Sequence, residues 1–233
     1  MTSGSVQKMK RIFKKIPKYG YVFAVVYFLL EMFCYSFGNF LANVIGTAEN
    51  PIIPKIPCID DKIPYIGCFI TIYFFSYIFW LMGTLATSMT KKRNFVNYLF
   101  GLSIAYLIGF LIFVFFPTGM DRVAEGLIDI SNGTGLNALS LRVMYALDGG
   151  NNAFNLFPSF HCMISTYCYL GVRKQPEISR GYRIFSLVMT VLICASTLFV
   201  KQHYFVDVVG GVGLAVITHI IAGLINPGKR FER

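Results

Sequence analysis

Long apolar runs alternate with short polar or basic segments along this chain. Six runs, near 19–41, 66–89, 95–116, 158–172, 182–200 and 204–225, read as membrane-spanning helices, which need about 20 apolar residues each. The fourth is short. About 15 residues at 1.5 Å each reach roughly 22 Å, so its outer end is expected at or below the membrane boundary. Two connections are long. The segment 42–65 contains "NPIIPKIPCIDDKIP" and is expected to fold against the bundle. The segment 117–157 has a length that is often functional. Within it "LNALSLRVMYAL" (136–147) has the pattern of a short amphipathic helix at the interface. No internal repeat is apparent, so an inverted-repeat transporter gains no support.

Composition agrees with that pattern. The chain is 55% hydrophobic and only 14% charged, too apolar for an ordinary soluble domain and too poor in charge for a disordered one. An all-α, polytopic, six-helix membrane bundle (19–225) is the expected fold class. The net charge of +10 raises nucleic acid as a partner, but its distribution removes the need for one. Sixteen of the 21 Lys and Arg fall in the N-terminal segment, the 2–3 and 4–5 loops and the C-terminal tail. Cytoplasmic loops are the basic ones, so both termini (1–18 and 226–233) are expected in the cytoplasm. A cleaved signal peptide is the competing reading of the N-terminus. The run 19–41 is too long for an h-region and lacks a small-residue cleavage site, so it reads as a retained span. Cys34, Cys162, Cys168 and Cys194 lie well inside apolar runs; only Cys58 and Cys68 are candidates for a disulfide, and their spacing does not fix one.

The informative polar residues share one side. Arg122 follows the third span, Ser159 and His161 open the fourth, Lys201 and His203 precede the sixth, and Asp207 lies one turn into it. In the topology above, all stand at the outer face. Ionisable groups at such positions mark function. His203 and Asp207 are spaced i, i+4 and share a helix face. The carboxylate can then hold one ring nitrogen and leave the other nucleophilic. A structural ion pair is the alternative for that pair alone. His161 adds a second imidazole, so that one attacks and the other protonates a leaving oxygen. Lys201 and Arg122 are cationic donors suited to phosphate, and two helix N-termini facing outward favour an anion. The set as a whole points to phosphoryl chemistry, with no Cys/His pattern for zinc. His219 lies 16 residues beyond His203, about 24 Å along the same helix, and reads as structural. Glu31, in the middle of the first span, reads as pairing within the bundle.

These residues resemble the type 2 phosphatidic acid phosphatase superfamily of integral membrane phosphatases and phosphotransferases. "PSFH" matches its second motif, P-S-x-H, through Pro158, Ser159 and His161. "STLFVKQHYFVD" matches the third, S-R-x5-H-x3-D, at Ser196, His203 and Asp207. The resemblance implies His203 as the nucleophile forming a phosphohistidine, Asp207 as its orienting carboxylate and His161 as general acid. It implies Ser159 and Ser196 as phosphate-site residues, and no cofactor or metal. The third-motif arginine is Thr197 here, with Lys201 as its candidate replacement. The first motif, K-x6-R-P, is absent, and Arg122 in "FPTGMDR" is the candidate for its arginine. "DDKIP" and "MYALDGGNNAFNLFPSFH" look like a bacterial subgroup and draw attention to Tyr145, Asp148 and Asn152.

Three functions follow in order. The first is a phosphatase hydrolysing a lipid phosphate monoester or diphosphate, with membrane lipids around it. The second is a phosphotransferase with an alcohol acceptor, as in the sphingolipid headgroup synthases that the fold resembles. The third is a channel or transporter, which would require polar residues continuing through the span. Here they stop near the outer boundary, apart from Glu31 and His219.

Overall fold

A computed structural model describes residues 15–147 and 154–232. Its helices are α1 (Lys18–Val44), α2 (Pro57–Asp60), α3 (Ile70–Ser88), α4 (Lys92–Phe115), α5 (Leu127–Asn132), α6 (Leu136–Leu147), α7 (Phe160–Val172), α8 (Arg180–Phe199) and α9 (Phe205–Ile225). Among the described residues there is no strand, only two isolated bridges. Five helices are long and apolar enough to cross a membrane: α1, α3 with its preceding 3-10 turn, α4, α8 and α9.

The fourth expected span forms α7, which falls outside that group by length. Its 13 residues rise about 20 Å. Every residue of α7 except Tyr169 is buried, because α3, α4, α8 and α9 pack around it. α1 lies outside this ring, against α3 and α4. Lipid-type side chains point outward: Val22, Leu29 and Phe33 on α1, Val188 and Val191 on α8, and Ile217 and Ile220 on α9 are exposed. The interior packs large rings such as Phe79, Trp80, Tyr98, Phe113 and Tyr167 together with buried hydroxyl side chains, which hydrogen-bond between helices as in membrane bundles. The Trp80 indole donates to Ser165 Oγ at 3.0 Å, Thr190 donates to the Ser165 carbonyl at 2.8 Å, and Tyr167 is bonded to Thr218.

Glycines set the closest crossings. A Cβ on Gly211 of α9 would stand 2.4 Å from the Ser159 carbonyl, and one on Gly109 of α4 would stand 2.3 Å from the Phe160 ring. Both contacts press neighbouring helices onto the first turn of α7.

The ends of the bundle differ. At one end the basic segments meet: Tyr19 reaches the Ser88 carbonyl, Arg93 bonds Asn226 and Glu232, and Arg183 reaches the Arg173 carbonyl. At the other end the long connections knit together. Ile52 exchanges backbone hydrogen bonds with Pro117 and Gly119 at 2.9 Å. Thr118 Oγ1 accepts from the amides of Leu156 and Phe157 at 3.1 and 2.7 Å. Cys58 and Cys68 are exposed free thiols, so the disulfide alternative is not formed.

Candidate active site

The turn between α8 and α9 carries the first imidazole. The amides of Gln202 and His203 both donate to the Thr197 carbonyl, at 3.0 and 3.2 Å, folding the chain back on the end of α8. Lys201 takes a left-handed φ of +52°, a conformation that costs a non-glycine residue about 1–3 kcal/mol and that clusters at functional sites. Tyr204 then opens α9, and its amide donates to Asp207 Oδ2 at 2.8 Å. The same oxygen lies 3.4 Å from His203 Nδ1. That distance is longer than an ideal N–H···O bond of about 2.9 Å. Asp207 is fully buried, so its one turn of helix fixes where the imidazole stands. This contact places the carboxylate on the Nδ1 side of the ring, away from Nε2.

His161 arrives from the start of α7. Ser159 caps that helix, its Oγ accepting from the Cys162 amide at 3.4 Å, and the Ser159 amide donates to the Asp207 carbonyl at 3.1 Å. The two motifs are thus joined through backbone. The His161 ring stacks on Tyr73 at 4.1 Å and meets Tyr77 and Trp80 edge-on, at 5.5 and 5.1 Å between centroids. Its centroid stands 6.3 Å from that of His203. Both rings line one cavity of about 450 Å³.

The other expected site residues fall in different places. Arg122 is buried, with its guanidinium 4.3 Å above the Tyr145 ring and Nη2 donating to Gln202 Oε1 at 3.2 Å. It meets the cavity through Gln202, which lines it. Burial raises the Tyr145 phenol's pKa, and the Arg122 charge opposes that rise. Ser159 and Ser196 are fully buried and are not among the cavity's lining residues; Ser196 Oγ donates to the Ile193 carbonyl at 2.7 Å. Lys201 is also not a lining residue. Its ammonium donates to the Asp60 carbonyl at 2.9 Å and lies 4.0 Å from Glu125 Oε2. Asp148 and Asn152 lie outside the described residues.

The sequence reading overlooked one wall. Glu31, Tyr35, Ser36 and Asn39 of α1 line the same cavity as the histidines, so Glu31 belongs to the site as well as to the bundle. The signal was available, since Glu31, Tyr35 and Asn39 recur at i, i+4, i+8 on one helix face. The start of α9 also differs from the expected open anion site. The Phe205 amide is taken by Asp60 Oδ1 at 2.8 Å, so one of the protein's own carboxylates occupies that end of the helix. Beside it, Lys55 bridges Asp61 and Glu125 at 2.6 and 2.7 Å, and these bonds push its pKa up. Among the described residues no three His, Cys, Asp or Glu side chains gather as metal ligands.

Residues 63–221 match the profile of the PAP2 superfamily. The chain belongs to that superfamily. Membership brings phosphatase-type activity in general, and the matched stretch contains His161, His203 and Asp207 but neither α1 nor Asp60. No curated protein and no solved structure gives a significant match.

Proposed function

We propose that this PAP2 superfamily member hydrolyses a lipid phosphate monoester or diphosphate at the extracytoplasmic face of the cell membrane, without a metal. In this reading α7 is a sixth, central span and both termini are cytoplasmic. The supporting observation is that both imidazoles line one cavity, with His203 held by a buried Asp207. His203 Nε2 attacks phosphorus as the bond to the lipid oxygen breaks, and protonated His161 gives that oxygen its proton. Neutral His161 then takes a proton from water as the water oxygen attacks phosphorus. The phosphorus–nitrogen bond breaks and inorganic phosphate leaves. Arg122, beside Gln202, adds positive charge next to the developing charge on the phosphoryl group.

A second reading, transfer to an alcohol, is favoured by the α1 wall. Water needs little room, whereas the cavity of about 450 Å³ that the histidines line is also lined by Glu31, Ser36 and Asn39, which can bind hydroxyl groups.

Purified protein in detergent with EDTA should release phosphate from phosphatidic acid, and His203→Gln should abolish release while the protein stays folded. Full activity in His203→Gln removes the mechanism. The same assay with added alcohols, read by mass spectrometry, separates hydrolysis from transfer.

A further inference from the structure

We propose that Asp60, in the outer connection between α1 and α3, is a positioning residue for the His203 nucleophile, and that Lys201 is its partner in this task rather than a phosphate ligand. The proposal rests on His203 being the nucleophile, as above.

Asp60 is buried, and three of its acceptor atoms are engaged. Oδ2 accepts from the Ile56 amide at 2.7 Å, which closes the local turn of α2. Oδ1 accepts from the Phe205 amide at 2.8 Å, and the main-chain carbonyl accepts from Lys201 Nζ at 2.9 Å. Lys201 and Phe205 stand two residues before and two residues after His203. One aspartate therefore grips the chain on both sides of the imidazole.

Each grip has a physical effect. A carboxylate on the first amide of α9 satisfies an otherwise orphaned donor and faces the positive end of the helix dipole. It fixes the start of the helix whose first turn presents Asp207, and so the Asp207–His203 geometry. The ammonium of Lys201 anchors a residue whose left-handed backbone needs an outside hold. Glu125 extends the clamp: Oε1 accepts from the Tyr204 hydroxyl at 3.2 Å, and Oε2 lies 4.0 Å from Lys201 Nζ. An ammonium engaged by a carbonyl and facing a carboxylate is already compensated in charge. To serve a phosphate in the cavity it would have to leave both.

This assignment accounts for two features of the sequence. "DDKIP" holds the clamp in its first residue. The lysine at 201, inside the matched stretch of 63–221, is held by Asp60, which the outer loop brings to the site from before that stretch.

The test uses Asp60→Ala, Asp60→Asn and Lys201→Met in the full-length protein, with phosphatidic acid in detergent micelles as substrate. Misplacing a catalytic group by about 1 Å costs on the order of 10²-fold, so Asp60→Ala and Lys201→Met should lose about that in kcat with KM little changed. Asp60→Asn, which keeps an acceptor for one amide, should lose less and serves if the alanine variant fails to fold. The chain has 3 histidines, so nitrogen NMR of labelled imidazoles gives a readout independent of turnover. The His203 ring signals should move in each variant while those of the distant His219 stay fixed. A raised KM with unchanged kcat in Lys201→Met would restore lysine as a phosphate ligand and overturn the proposal. Unmoved His203 signals in all three variants would overturn it too. Wild-type protein inactive on every lipid phosphate, with His203 signals that still respond, would fault the reaction and leave the clamp standing.

Discussion

A carboxylate one turn from an imidazole works here because both groups hang from the same helix start. Asp207 Oδ2 receives the Tyr204 amide and faces His203 Nδ1, so the backbone that begins α9 also aims that imidazole. His161 lies on another helix, yet the Ser159 amide on the Asp207 carbonyl ties its first turn to the same spot. At this scale the division of labour between imidazoles can be tested. His161→Ala should cost about 10²–10⁴-fold in kcat on phosphatidic acid, whose alkoxide must be protonated to leave. It should cost far less on p-nitrophenyl phosphate, whose leaving group departs as a stable anion. Equal losses on both substrates would remove the general-acid role. The spacing of His203 and Asp207 and the "PSFH" motif singled out these three candidates in the sequence, and the structure brings them together. Lys201 was legible only as a charge, because sequence does not say which way a side chain turns. Its engagement with Asp60 joins residues 141 positions apart in the chain.

At the scale of elements, α7 is unusual in being short and buried on nearly every side. An apolar run of that length predicts a span, while its central position follows from the residues its neighbours leave small. Gly211 is the clearest case. A Cβ there would meet a main-chain carbonyl at 2.4 Å, which cannot turn aside as a flexible side chain would. Gly211→Ala should therefore push α9 from α7, cost about 1–3 kcal/mol as an overpacked core does, and lower kcat by separating His203 from His161. Gly213→Ala, where an added Cβ meets nothing within 4 Å, should leave thermal stability and turnover close to wild type. Parallel melting curves and kinetics check both; an intact Gly211→Ala enzyme would mean that the crossing tolerates a wider gap. The Pro-rich connection could be read as folded against the bundle. That its Asp60 reaches the start of α9 could not, since no periodicity links residues 60 and 205.

For the whole molecule, basic segments gather at one end and the candidate site at the other. The proposed orientation, with the basic end in the cytoplasm and the candidate site outside, can be checked by labelling. Cys58 and Cys68 are exposed on the site side, while Cys34, Cys162 and Cys168 are buried. A membrane-impermeant maleimide should label the protein in intact cells, and Cys58→Ser with Cys68→Ser should remove that labelling. Labelling that appears only after the cells are opened would reverse the topology.

Hydrophobic length, loop charge and two spaced motifs determined the class of this protein. They specified a helical membrane bundle with basic segments on one side and two histidines and an aspartate on the other. These are local or additive properties, readable from neighbours along the chain. The tertiary structure alone decided which distant groups meet them. It set α1 as a wall of the cavity, gave the α9 helix start to Asp60 and turned Lys201 toward that carbonyl. The physical reason is that a buried polar group must find a partner wherever the fold offers one, and partners 120 or 145 residues apart leave no periodic trace.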